Sequence, residues 1–198
     1  MTSAPSGKRV ALHACCGPCL LEPYDALVDE GAEVVVVYYN PNIHPEGEYQ
    51  RRRDTLLGHA LAAGIEVEVR PYDPVVWFET VAPHGSSRSE RCRACYRLRL
   101  TEVARWAAEN GFEAVASTLT VSPYQDADTI TEEGRLACEA VGLEYLQRDY
   151  RDRYPDATRR SRDLGMYRQN YCGCVLSATE AAEERTARKA ERQARRQA

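Results

Sequence analysis

The chain has 198 residues, 43% of them hydrophobic and 28% charged, which suits one domain with a single core and excludes a wholly disordered chain. A net charge of −4 excludes a protein that coats nucleic acid through bulk charge. The first eight residues are polar and the longest apolar run, Val34 to Tyr39, is far too short to cross a bilayer, so a cytosolic protein with no membrane partner is expected.

Strand-like runs are predicted at 9–14, 33–39, 65–70, 113–118 and 143–148, with helices at about 19–29, 48–62, 95–110 and 126–140. Gly31, Gly64, Gly111 and Gly142 each stand just past a helix and just before a strand, where a C′ glycine belongs. The alternation predicts an α/β fold, a parallel sheet of about five strands with helices on both faces. Such sheets bind ligands beyond the carboxyl ends of their strands. The turns "CCGPC", "NPNIHP" and "TLTVSPY" all fall on that edge.

Two segments break the alternation. Residues 71–91 read as a proline-rich loop long enough to be functional, and 149–177 as an irregular Arg/Tyr/Asp segment ending in "YCGC". Both are locally basic: five arginines against one glutamate in 85–99, and seven against four aspartates in 147–170. One α/β domain is expected over 8–178, followed by a charged tail, helical or disordered, at 179–198. The tail reads as a solvated face, with an extra contact to an anionic partner as the alternative.

In a reducing cytosol, disulfide staples do not account for eight cysteines. Seven of them form three close groups: Cys15, Cys16 and Cys19; Cys92 and Cys95; Cys172 and Cys174. Thiolates two or three residues apart in a turn can face one metal ion. Cys138, inside a helical pattern, reads as a buried and inert thiol. A thioredoxin-like pair leaves the other thiols idle, and a structural zinc site usually draws on two knuckles close in sequence. Seven candidates exceed one cubane or one zinc, so the count points to iron–sulfur or multi-metal binding and does not separate them. His13 reads chiefly as a packed residue beside the cysteines, with a ligand or proton-donor role as the alternative. His44 lies in turn chemistry at the strand-edge cleft, and "MYRQNYCGC" combines arginine with tyrosine, which suits phosphate pairing and base stacking.

Five blocks carry a resemblance that spans about residues 9–177. They are "LHACCGPC" (12–19), "YYNPNIHPEGEYQRR" (38–52), "ERCRACYRLRL" (90–100), "STLTVSPYQD" (117–126) and "RDYRDRYPDATRRSRDLGMYRQNYCGC" (148–174). In order and spacing the chain resembles the QueH-type epoxyqueuosine reductases. The resemblance implies a Rossmann-like (HUP-type) fold and a cobalamin-independent enzyme. Such an enzyme removes the epoxide oxygen of epoxyqueuosine at the tRNA wobble position, the last step of queuosine formation. It also implies an iron–sulfur cofactor, written here as a [4Fe-4S] cluster, with room in the thiol count for an additional mononuclear iron. The thiols matching the family pattern are Cys15, Cys16, Cys92, Cys95, Cys172 and Cys174, and Cys19 is a further candidate. "CCGPC" stands where related folds carry a phosphate-gripping glycine loop, so ATP use is not expected.

Reducing an epoxide to an alkene with loss of water takes two electrons and two protons. An external donor of ferredoxin or flavodoxin type is therefore expected. Tyr171, His13 and Tyr49 are the candidate proton donors, in that order. Arg168, Arg151, Arg99 and Arg97 are expected to hold tRNA phosphates, with Tyr167 available for stacking. Two rival readings are a zinc-stabilised tRNA-binding module without redox chemistry and a general iron–sulfur electron-transfer protein.

Overall fold

Runs of Val and Ala that are apolar on both faces belong inside a covered parallel sheet, and five strands form one here. The computed structural model describes residues 6–85 and 87–197. The strands are β1 (Arg9–His13), β2 (Glu33–Tyr38), β3 (Val67–Val69), β4 (Ala114–Ser117) and β5 (Glu144–Tyr145). All pairings are parallel, in the order β3-β2-β1-β4-β5. The chain works outward from β1 to β3 and then resumes on the other side with β4. The reversal falls between β1 and β4, so their carboxyl ends open a crevice.

The helices are α1 (Gly17–Asp29), α2 (Glu46–Ala63), α3 (Pro74–Thr80), α4 (Arg88–Glu109), α5 (Ala127–Glu139), α6 (Tyr154–Asp163) and α7 (Val175–Gln197). Strand periodicity sorts the core into two layers. Ala11, Val35, Val37 and Val115 pack with Leu100, Val103 and Ala104 of α4 and Ile130 of α5. Val10, Leu12, Val34 and Val36 pack with Leu20 and Leu27 of α1 and Leu56 of α2 on the opposite face. The expected α/β sheet of five parallel strands with helices on both faces is the fold observed.

Three departures bear on the site. First, α4 starts at Arg88 rather than near 95, because Ser87 caps it: its hydroxyl accepts from the Glu90 N–H at 3.4 Å. Cys92 and Cys95 therefore lie one turn apart on a helix, not in a turn. Second, the proline-rich segment holds α3, capped by Asp73, whose carboxylate accepts from the Val75 N–H at 2.9 Å, and a 3-10 turn at Ala82–His84. Third, 149–177 contains α6, tied to α1 by Arg160 on Glu22 at 2.7 Å. The helix α7 begins directly after Cys174 and runs on through the boundary expected at 178. No helix among the described residues is long and apolar enough to cross a membrane.

Candidate metal centre

The crevice between β1 and β4 is filled by sulfur. Cys15 and Cys16 follow β1, and Cys16 is the N-cap of α1 with an extended backbone (φ −173°). Cys19 returns one turn later, so the sulfurs of Cys15, Cys16 and Cys19 all lie within 4.8 Å of one another. Cys15 and Cys16 are 3.8 Å apart, and Cys16 and Cys19 are 2.9 Å apart. Thr118, just past β4, ties the two strand ends together: its hydroxyl accepts from the Cys15 N–H at 3.3 Å and lies 3.7 Å from the Cys15 sulfur.

Hydrogen bonds from Cys16 and Cys19 outweigh burial and pull the Cys15 thiol well below its ordinary range, with Arg99 and Thr118 adding to the effect. Burial and the neighbouring sulfur push Cys16 up to about 12. The three thiols thus favour a single negative charge, carried on Cys15.

A second group forms where α4 meets the start of α7. Cys95 packs in one cluster with Cys174 and Trp77. Cys172 is exposed, and its sulfur lies 3.2 Å from the Ser177 hydroxyl. The neighbouring Cys174 thiol, with Ser177, draws the Cys172 thiol down to about 5. Burial, together with the charge on Cys172, raises Cys92 to about 11. Cys174 is buried, and its sulfur accepts from the Ser177 N–H at 3.3 Å. Trp77 of α3, 1% exposed, packs beside Cys174 and Cys95.

Arg99 lies on the buried stripe of α4, one turn after Cys95. It is 3% exposed, it donates to Asn40 Oδ1 at 2.6 Å, and Asn40 in turn donates to the Ala14 carbonyl at 2.9 Å. Its charge lowers the thiols of Cys15, Cys95 and Cys172, although burial leaves Cys95 raised on balance. Its Nε has no hydrogen-bond partner among the described residues.

The segment 166–174 lies across both groups and is held by α2. Gln169 donates from Nε2 to the Cys16 sulfur at 2.8 Å, leaving its buried Oε1 without a partner among the described residues. Arg52 donates to the carbonyls of Cys172 (2.9 Å) and Tyr171 (3.3 Å), and to Glu48 at 2.8 Å. The other oxygen of Glu48 accepts from the Tyr167 hydroxyl at 2.7 Å. Gly173 has φ +142°, and a Cβ there would stand 3.0 Å from both Asn42 Nδ2 and Ile43 Cγ1. Only glycine fits this approach.

The expected site residues separate in space. Arg99, expected at phosphates, is buried among the thiols. Arg97 pairs with Glu133 at 2.8 Å and Arg151 with Asp149 at 2.5 Å, both with exposed side chains. Arg168 is exposed, and Tyr167 is 37% exposed with Arg51 over its ring. His13 is fully buried, with Nδ1 3.0 Å from the Ser117 hydroxyl and Nε2 3.3 Å from the Tyr39 carbonyl. Burial, with Arg99 nearby, brings it down to about 3, so the ring is neutral and ties strand ends together. Tyr49 is 3% exposed and stacked on Tyr72 at 3.9 Å, an aromatic packing role. Tyr171 is half-buried beside Cys172, and its hydroxyl donates to the His44 carbonyl at 2.6 Å. Cys138 is 1% exposed, in the same core layer as Cys15 and Cys16 but outside the group of sulfurs that lie within 4.8 Å of one another.

Arg52, Glu48, Asn40, Thr118 and Trp77 were not expected at the site. Glu48, Arg52 and Leu56 repeat every four residues on the buried stripe of α2, which is the pattern that marks the first two.

A donor set made of sulfur suits soft or borderline metals and does not suit Mg²⁺ or Ca²⁺. The three sulfurs of Cys15, Cys16 and Cys19 within 4.8 Å of one another fit a thiolate-bound iron–sulfur or zinc centre. Fold and site together define an α/β protein with a thiol-lined metal centre at the switch point of its sheet. The family model described as Epoxyqueuosine reductase QueH matches residues 10–180, and the chain belongs to that family. The Epoxyqueuosine reductase QueH of Dehalococcoides mccartyi is 33% identical over 173 residues, covering 87% of this chain and 93% of that protein. Those of Thermotoga maritima and Haemophilus influenzae are 31% and 32% identical, covering 88% and 87% of this chain and 93% and 73% of those proteins.

Proposed function

We propose that the chain is a cytosolic epoxyqueuosine reductase acting on tRNA through an iron–sulfur centre held by its thiols. One observation carries the reading: Gln169, three residues before Cys172, donates to the Cys16 sulfur at 2.8 Å, so the C-terminal cysteine segment lies against the thiols that follow β1. The family supplies the substrate. The net reaction converts the epoxide, two electrons and two protons into an alkene and water. When bound, an iron–sulfur centre supplies single electrons and a Lewis-acidic iron.

The protein's own residues do the rest. Cys15, Cys16, Cys92, Cys95, Cys172 and Cys174 are the candidate ligands, and Cys19, whose sulfur lies within 4.8 Å of those of Cys15 and Cys16, is a further one. Seven thiols exceed one cubane, so a second, mononuclear iron could use the surplus. Arg99 offsets the negative charge that collects as thiolates form. Of the three candidate proton donors, Tyr171 fits best. His13 is fully buried with both nitrogens engaged and Tyr49 is packed, whereas Tyr171 is half-buried next to Cys172 and its hydroxyl would have to leave the His44 carbonyl to reach substrate. Arg168 and Tyr167 are placed to meet RNA on the outer side of the same segment, with Arg97 and Arg151 further out on the surface. The electron donor is a ferredoxin or flavodoxin-type protein.

Anaerobically reconstituted protein tests this reading. Iron and sulfide should bind stoichiometrically, and reduced protein should convert epoxyqueuosine to queuosine in tRNA. Zinc without iron or sulfide assigns the thiols a structural role and overturns the redox reading. An intact, reducible centre that leaves epoxyqueuosine unchanged overturns the substrate.

A further inference from the structure

The strongest unassigned feature lies beyond the matched family region. Residues 185–198 carry six basic residues against one glutamate, whereas residues 1–184 carry twenty basic against twenty-nine acidic. An acidic body repels a polyanion, so binding RNA needs a local basic surface. The last half of α7 is one. Arg185, Arg188, Lys189, Arg192 and Arg195 are all exposed. At 100° per residue they fall within an arc of about 120°, and they span about 15 Å along the axis. Glu180, Glu184 and Glu191 occupy the adjoining face. Glu180 pairs with Arg91 and Arg88, and Glu184 with Arg88, so the acidic side is turned toward α4. At the inner end of the stripe, Arg185 donates to the Asn170 carbonyl at 3.3 Å. The stripe therefore starts against the segment that covers the thiols.

We propose that this face of α7 is an RNA-binding arm that grips backbone phosphates of the substrate tRNA. The inference rests on the reading of the chain as a tRNA-modifying enzyme and adds the surface that holds the tRNA. Other partners fit worse. Protein interfaces centre on aromatic or large aliphatic anchors and are poor in lysine, whereas the apolar residues of α7 from 182 to 195 are all alanine. The same lack of large apolar residues removes the face that an interfacial membrane helix buries. The two i,i+4 pairs on the arm, Arg188–Glu184 at 3.8 Å and Arg195–Glu191 at 2.6 Å, are exposed and too weak to neutralise it.

The test uses the full chain and an unmodified tRNA transcript, so neither the epoxide nor the metal centre is needed. Affinity is measured across salt concentrations for wild type and for a variant carrying Arg188→Gln, Lys189→Gln, Arg192→Gln and Arg195→Gln. Glutamine keeps helix propensity, and circular dichroism verifies the helix. The variant should bind about tenfold or more weakly near physiological salt, and the slope of log K against log salt should flatten by about 2 to 3. Equal affinity and slope for the two proteins overturns the arm and leaves the reductase reading intact. A wild type with no salt-dependent tRNA complex overturns both. Unchanged tRNA binding with slower electron uptake from an acidic flavodoxin assigns the stripe to the electron donor and overturns the RNA arm.

Discussion

Arg52 donates to the main-chain oxygen of Cys172 at 2.9 Å across 120 positions of the chain, and this bond fixes the C-terminal thiols over the sheet edge. Arg52 and Glu48 are 1% and 2% exposed, so each buried charge depends on the other. Replacing Arg52 by Met leaves the buried Glu48 with the exposed Arg51, at 3.0 Å, as its remaining cation, and should cost up to about 3 kcal/mol. Adding Glu48→Gln should recover part of the loss. Urea denaturation of the single and double variants measures both, and a single-variant loss below about 1 kcal/mol contradicts the latch.

The same pair sets an acid limit. Burial raises the Glu48 carboxyl, but the Tyr167 hydroxyl and Arg52 more than offset it, leaving the group below its ordinary 4.5. A depressed carboxyl stabilises the fold above the unfolded value and loses that contribution as pH falls through the folded one. Stability should therefore drop below about pH 4.5, and Glu48→Gln should lessen that dependence while lowering stability at neutral pH. Parallel acid-limb profiles for wild type and variant would count against it.

Gly173→Ala should displace the thiol segment without disturbing the sheet. The added Cβ meets Asn42 and Ile43 at 3.0 Å, and φ +142° is strained for any side chain. A cost of about 1–3 kcal/mol is expected. Hydrogen exchange should quicken at 167–174 and stay slow in β1 and β4; uniform exchange across the chain contradicts a local effect.

Cysteine replacement separates ligands from the bystander. Ala or Ser at Cys15, Cys16, Cys92 or Cys95 should reduce bound iron after anaerobic reconstitution. Cys138→Ala should leave it unchanged and cost about 1 kcal/mol of stability, because it removes one buried sulfur from the core. Loss of iron in Cys138→Ala would place that thiol at the centre.

Gln169→Leu removes the N–H···S bond to Cys16, 2.8 Å long. Hydrogen bonds to ligand sulfur help set the potential of a cluster, and losing one should make it harder to reduce. A spectroelectrochemical titration should give a lower midpoint with unchanged iron content. An unmoved midpoint would limit Gln169 to packing.

Much of the fold was legible because apolar runs and C′ glycines mark the alternation, and the terminal turns of β1 and β4 converge by topology. Helix α4 was harder. Its first turn, Arg88 to Arg91, has no apolar residue, so periodicity started late. The capping pattern Ser87 with Glu90 was the better signal, because caps act on backbone donors and need no buried face. The burial of Arg99 was legible only from spacing: its separation from Tyr96 and Val103 puts it on the buried stripe of α4, where its guanidinium donates to Asn40.

By itself the sequence determined the alternating α/β fold, the three thiol groups and the resemblance that points to their chemistry, since these rest on local periodicity and spacing. Only the tertiary structure decided which groups meet. The segment carrying Cys172 meets the thiols after β1 because Gln169 bonds the Cys16 sulfur and Arg52 of α2 holds the Cys172 carbonyl over that edge. Such long-range placement depends on packing between elements distant in the chain, which local patterns do not encode.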